Sequence, residues 1–281
     1  MSKWNMIVDA AKCENCGNCY LSTVDEYTGN DHPGVAAEMP LHGHKWIEIL
    51  KRERGQPPMV DVTYAPVMCN HCDDAPCMEA AENDAIIKRA DGIVIIDPVK
   101  SKGQRQIVDA CPYGAVYWNE EKEIPQAWPF DAHLLDRGWD HPRCVQSCPT
   151  GALRAVKVDD AEMARIRREE GLEDFRPDLD TRPRVHYKNL GKYRYEFIGG
   201  TVAAAKDGVE DCVEGAEVVL KYAGDELSRT TTDNYGDFLF DGLKADSGVY
   251  AIEVSHPDFP GASARAELGE STYVGTISLG S

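Results

Sequence analysis

Hydrophobic and polar positions change rhythm along this chain. Up to about residue 160 the apolar residues come in short groups between loop-like stretches, and only Ile93–Ile96 and Ala115–Trp118 read as strands. Over Ala161–Gly171 the pattern predicts an exposed helix: Asp160 can cap it, good helix formers follow, and Gly171 can stop it. Residues 172–192 are rich in Pro, Asp, Arg and Tyr and read as an extended connection crossing a surface. From about Tyr195 the runs become short and strand-like: Gly199–Ala205, Ala216–Tyr222, Ser228–Thr232, Asp237–Phe240, Tyr250–Ser255, Ala262–Glu267 and Tyr273–Ser278. Clusters of Gly, Asp and Asn divide them at fairly regular intervals, which predicts an all-β sandwich. The expected class is α+β in three parts: a loop-rich domain over 1–160, a helix and connection over 161–194, and a β-sandwich over 195–281.

Composition narrows the class. The chain has 281 residues, 42% hydrophobic and 28% charged, as expected of a globular protein of roughly two domains. Its longest apolar stretches, Gly92–Ile96 and Ile198–Ala205, fall far short of the ~20 residues of a membrane helix, so no membrane segment is expected. No basic and apolar leader precedes the first cysteines, so the expected location is cytoplasmic, although a small subunit can be exported bound to a signal-bearing partner. A net charge of −18 argues against nucleic acid, whose phosphates need clustered Lys and Arg. The interrupted basic groups Lys51–Arg54 and Arg165–Arg168 read as solvated helix faces.

The chemistry lies in ten cysteines. Cys13-x2-Cys16-x2-Cys19 and Cys69-x2-Cys72-x4-Cys77 are close triplets. Cys111-Pro112-Tyr113-Gly114-Ala115 and Cys148-Pro149-Thr150-Gly151-Ala152 are Cys-Pro pairs followed by small residues. Closely spaced triplets in a chain without a secretion signal disfavour disulfides, and zinc usually takes CxxC pairs across a longer spacer. Bacterial ferredoxin runs give three thiolates to one cluster and a fourth, before proline, to the other. That exchange yields two complete sites here, so the expected fold of 1–160 is a double bacterial-ferredoxin-like iron–sulfur domain and the expected cofactors are two [4Fe-4S] clusters. Cys212, alone in the sandwich, reads as structural or incidental. His71 within the second triplet reads as a solvent-facing side chain or a donor to a cluster sulfur. His42 and His44 are candidates for a subunit interface. No catalytic constellation is visible.

In motif order, residues 6 to about 153 resemble the four-cluster iron–sulfur subunits of the dimethyl sulfoxide reductase family of molybdopterin enzymes. The resemblance implies crosswise pairing: Cys13, Cys16, Cys19 and Cys148 for one cluster, and Cys69, Cys72, Cys77 and Cys111 for the other. It also implies that two sets have been erased. One has become Thr23, Trp128, Asp131 and Cys144; the other has become Ala81, Ser101, Gln104 and Ile107. Trp128 and Phe130 are large enough to fill room left by a missing cluster, or serve as ordinary core aromatics. The stretches Glu214–Leu220, Thr231–Phe240 and Gly248–Val254 resemble a small transthyretin-like or Ig-like sandwich, whose implied work is docking.

Phrases such as Gly43–Trp46, Lys51–Gly55, Ala90–Pro98, Trp118–Glu121 and Arg182–Leu190 are similar to small subunits of the pyrogallol–phloroglucinol transhydroxylase and resorcinol hydroxylase type. That resemblance implies a non-catalytic iron–sulfur subunit in a heterodimer or a multiple of it. The large partner would carry molybdenum bis(pyranopterin guanine dinucleotide) and the site for polyhydroxylated benzenes. The retained clusters would then serve electron transfer or structural support. Where such subunits keep the set reduced here to Cys144, this chain departs from them, which implies one cluster fewer. Transfer of a hydroxyl between two phenols has no net electron demand, whereas hydroxylation with water releases electrons, and the first fits two non-adjacent clusters better. The alternatives are an electron-transfer subunit of a resorcinol hydroxylase-like or other molybdenum oxidoreductase, and a free-standing two-cluster ferredoxin.

Overall fold

The computed structural model describes residues 1–206 and 208–280; residues 207 and 281, within the stretch read as a sandwich, lie outside the described residues. The chain divides into two compact units, residues 1–50 with 64–190 and residues 51–63 with 191–281.

The first unit is built from two similar cysteine modules, one nested inside the other. In the outer module, strand Lys3–Asp9 leads into Cys13–Cys19 and helix Asn18–Tyr27. Its other half arrives from far along the chain as helix Arg143–Gln146, Cys148 and strand Leu153–Val158. The two halves close through an antiparallel ladder in which Met6 faces Ala155. The inner module runs from strand Met59–Met68 through Cys69–Cys77 and helix Pro76–Ala80 to helix Gln106–Asp109, Cys111 and strand Tyr117–Asn119. Burial of Met6, Val8 and Leu153 on the outer ladder, and of Ile86, Val94, Ile107 and Val116 in the inner module, gives each a small apolar core.

The expected strands form as two hairpins: Val94–Ile96 pairs with Ile86–Lys88, and Tyr117–Asn119 with Ile124–Gln126. The expected helix spans Asp160–Glu170, with the cap one residue earlier than read. The Asp159 carboxylate accepts from the Glu162 N–H at 2.9 Å, and Gly171 ends the helix at φ 63°. The stretch read as a connection holds a strand, Val185–Lys188, parallel to Lys3–Asp9 with Ile7 beside His186. Only four residues long and buried on both faces, it shows no alternation in the sequence. Strands Lys3–Asp9, Ile47–Gln56, Met59–Met68 and Leu153–Val158 were likewise not legible from hydrophobic pattern.

In the second unit two four-stranded sheets share one core. Strand Glu196–Lys206 pairs with Val209–Cys212, Asp237–Leu243 and Thr272–Leu279; the other sheet runs Asp225–Thr231, Glu217–Tyr222, Gly248–His256, Phe259–Leu268. Val218, Leu220, Ile252 and Val254 alternate inward toward Ile198, Val202, Phe238 and Ile277. Lys51–Arg54 corrects the helix-face reading, because it lies on strand Ile47–Gln56 and Arg54 is buried. Arg54 pairs with Asp61 at 2.6 Å and Asp241 at 2.7 Å and lies over the Phe197 ring at 5.2 Å. Arg165–Arg168 does lie on an exposed helix, where Arg165 pairs with Glu162 and Glu169. No helix of the described residues is long and apolar enough to cross a membrane.

Candidate iron–sulfur sites

Both Cys-Pro pairs leave by the same tight turn. Gly114 and Gly151 adopt φ of 62° and 66°, and their N–H groups donate to the carbonyls of Cys111 at 3.1 Å and Cys148 at 3.4 Å. Proline fixes the entry dihedral, and glycine takes the left-handed position without a Cβ clash. A short helix precedes each pair, so the repeat in sequence is also a repeat in shape.

The thiols fall into two groups. Cys148 and Cys16 both act electrostatically on Cys13 and on Cys19, which brings the first triplet together with a residue at the far end of the domain. Cys72, Cys77 and Cys111 act likewise on Cys69. Burial pushes Cys19 and Cys77 up to about 12, and neighbouring thiolates push in the same direction. Burial also raises Cys13, Cys69 and Cys72. Cys148 is the exception: burial raises it, but hydrogen bonds from the Leu153 backbone, the Thr150 hydroxyl and the Ala152 backbone outweigh burial and hold it below its ordinary value. Backbone N–H groups of Asn15, Tyr20 and His71 also bond Cys13, Cys19 and Cys69.

Thiols crowded this way resist joint ionisation unless a cationic centre compensates them, and a cluster does that while being held by deprotonated sulfur. Among the described residues no three thiols lie within 4.8 Å of one another. A tetrahedral zinc–thiolate site with ~2.3 Å bonds has sulfur edges of about 3.8 Å, so the wider spacing suits thiolates around the corners of a cube. The donor set, its spacing and its N–H···S bonds therefore fit iron–sulfur clusters. Lys88 and Arg184 flank the second group. The buried Arg184 guanidinium clamps Asp73, beside Cys72, and Lys88 Nζ reaches Asp73 and the Cys72 carbonyl, both at 2.9 Å.

The positions read as erased are filled by protein. Trp128 is fully buried and stacks on Phe130 with centroids 4.8 Å apart. Asp131 accepts from the Tyr27 hydroxyl at 2.8 Å, Trp128 Nε1 at 2.9 Å and the Arg143 N–H at 2.8 Å, which commits its carboxylate to the protein. Burial raises Cys144, then Asp131 and Cys19 raise it further, so it is a neutral thiol. Thr23 donates to the Cys19 carbonyl at 2.9 Å. In the other set, Ile107 lies in an apolar cluster with Ala81 packed against it, and Gln104 bonds the backbone of Glu82 and Lys100.

His71 corrects the solvent-facing reading. It is 1% exposed, its Nδ1 accepts from the Val94 N–H at 3.1 Å, and its ring edge meets Trp128 and Phe130. Burial lowers it to about 3, so it is neutral. His44 is buried and bonds the Trp118 carbonyl at 3.0 Å, while His42 is exposed. Cys212 is exposed in the sandwich. Arg184, Lys88 and the Tyr27–Asp131 pair were not found from sequence, because each joins residues distant in the chain.

The fold and donor set define an iron–sulfur protein of the two-cluster ferredoxin kind. Residues 60–158 match the family model of the 4Fe-4S dicluster domain. The chain is 44% identical to the pyrogallol hydroxytransferase small subunit of Pelobacter acidigallici, over 90% of this chain and 91% of that one. It is 30% identical to a tetrathionate reductase subunit of Salmonella typhimurium, over 67% and 73% of the two chains. It is 26% identical to the arsenate respiratory reductase iron–sulfur subunit of a Shewanella species, over 65% and 94%. The chain belongs to the iron–sulfur subunits of molybdenum oxidoreductases, in the family of the pyrogallol hydroxytransferase small subunit.

Proposed function

We propose that this chain is the non-catalytic iron–sulfur partner of a large subunit that carries molybdenum bis(pyranopterin guanine dinucleotide) and acts on polyhydroxylated benzenes. The observation that carries this reading is the 44% identity to a pyrogallol hydroxytransferase small subunit, which extends over nine-tenths of both chains and so takes in the β-rich unit as well as the cysteines. In this reading Cys13, Cys16, Cys19 and Cys148 hold one [4Fe-4S] cluster, and Cys69, Cys72, Cys77 and Cys111 hold the other. The C-terminal strands form a transthyretin-like sandwich that docks the subunit, and the complex works in the cytoplasm as a heterodimer or a multiple of one. With Trp128 and Asp131 packed where a further cluster would stand, hydroxyl transfer between two phenols fits better than net hydroxylation, because it requires no electron exit.

Co-expression with the large subunit tests the proposal. The complex should hold about eight iron and eight sulfide in this chain, and pyrogallol should be converted without an external electron acceptor. A chain that is stable and monodisperse alone and reduces diverse partners would instead be a free-standing ferredoxin. Stopped-flow mixing with substrate separates the two roles of the clusters: reduction on the turnover timescale marks electron transfer, and its absence marks structural support.

A further inference from the structure

We propose that Glu26, His32 and His133 form a mononuclear site for a divalent transition cation of the zinc kind, separate from the eight cysteines. Among the described residues this is the group whose carboxylate and imidazole ligand atoms converge, all within 4.8 Å of one another. Glu26 Oε1 lies 2.7 Å from His133 Nε2 and 3.8 Å from His32 Nε2. Those separations bracket the edge of about 3.4 Å that tetrahedral ligation at ~2.1 Å imposes. Two imidazoles and one carboxylate, with a position left for water, are a donor set that suits zinc and its first-row neighbours.

The surroundings hold the set in place. Tyr27, fully buried, sets its ring edge-on to both histidines, at 5.2 Å from His32 and 5.6 Å from His133. The two imidazoles stack with centroids 3.7 Å apart. His133 Nδ1 has no hydrogen-bond partner, so the Glu26 contact at Nε2 and ring packing together orient this histidine. Arg143 donates to the other Glu26 oxygen at 2.7 Å, which leaves Oε1 toward the histidines, and Asp25 pairs with the same guanidinium at 2.8 Å and offsets its charge. The three side chains are between 6% and 16% exposed, sheltered yet reachable by an ion. A cation here would crosslink helix Asn18–Tyr27 to the short helix Ala132–Leu135, beside the Tyr27–Asp131 hydrogen bond that already joins those segments.

The test is the zinc content and zinc K-edge absorption of the cluster-loaded complex after a chelator wash and incubation with Zn²⁺. Wild type should take up about one more zinc ion than the His133→Gln and His32→Gln variants, in a shell of nitrogen and oxygen at ~2.0–2.1 Å. Both variants should bind at least about 100-fold more weakly, beyond what loss of an outer-shell partner costs, with iron content unchanged. Unchanged iron shows that the variants are folded. Should His133→Gln lose iron, His32→Gln, on a loop outside the helices, carries the test alone. No uptake, equal uptake by wild type and variants, or a sulfur shell at ~2.3 Å would overturn the site. The cluster proposal would survive that result, since it is read from iron and sulfide instead.

Discussion

Cys144 lies in the short helix Arg143–Gln146 and Cys148 two residues past its end, yet they belong to opposite kinds of surroundings. Cys148 is half-buried, bonded by backbone N–H groups and held below its ordinary pKa. Cys144 is buried beside Asp131, and burial keeps it a neutral thiol. The first belongs to a group of four thiols with mutual influence. The second lies close to Asp131 and Tyr27, whose polar atoms are hydrogen-bonded to each other and to Trp128. The two settings thus differ in what suits a thiol to ligation: other thiols nearby and N–H groups to steady the sulfur, against protein hydrogen bonds already filling the surroundings.

The sharpest way to break this comparison is Cys148→Ala. The variant should lose one cluster, about half the iron and sulfide of the chain, with a large loss of stability because metal-site binding energy is folding energy here. Iron retention at the wild-type level would mean that Cys148 is not a ligand. Trp128→Ala should come next, costing about 3–5 kcal/mol in urea unfolding through the cavity left behind, with iron content unchanged. If iron fell in step with stability, the aromatic packing would belong to a cluster site rather than replace one.

Asp131 predicts a pH signature. Burial, outweighing three hydrogen bonds, raises its pKa above the ordinary carboxylate value. A carboxyl with a raised folded-state pKa contributes stability that is fully present below the unfolded value near 3.8 and is lost as pH rises through the folded value. The stability of wild type relative to Asp131→Asn should therefore fall as pH rises above the unfolded value near 3.8, measured by urea unfolding without oxygen. A flat or rising difference would show that the hydrogen bonds, not burial, dominate. The smallest effect should be that of Cys144→Ala, about 1 kcal/mol with full iron; a loss of iron comparable to that of Cys148→Ala would erase the distinction between the two cysteines.

Much of the second unit was legible because its strands alternate: Val218, Leu220, Ile252 and Val254 point inward between polar neighbours, and turn residues punctuate them. Val209–Cys212 was missed because it is exposed throughout and carries no alternation. The first unit was far less legible. Strands Val185–Lys188 and Leu153–Val158 are short and lie on either side of Lys3–Asp9, so their pairing partner sits at the start of the chain. Arg54 read as one of a solvated basic run, but its partners Asp61 and Asp241 bury it. His71 went astray for the same reason: the Val94 N–H and the Trp128 and Phe130 rings that enclose it come from other segments.

The sequence by itself determined the local pattern: the two close cysteine triplets, the two Cys-Pro-x-Gly turns, and the residue types at the positions proposed here as vacated. Those are local properties, carried by residue type and spacing. The tertiary structure decided which distant thiols meet, how tightly the vacated positions are packed, and that Glu26, His32 and His133 converge beside them. Such outcomes depend on contacts between segments far apart in the chain, where burial and hydrogen bonding act through partners that no local pattern names.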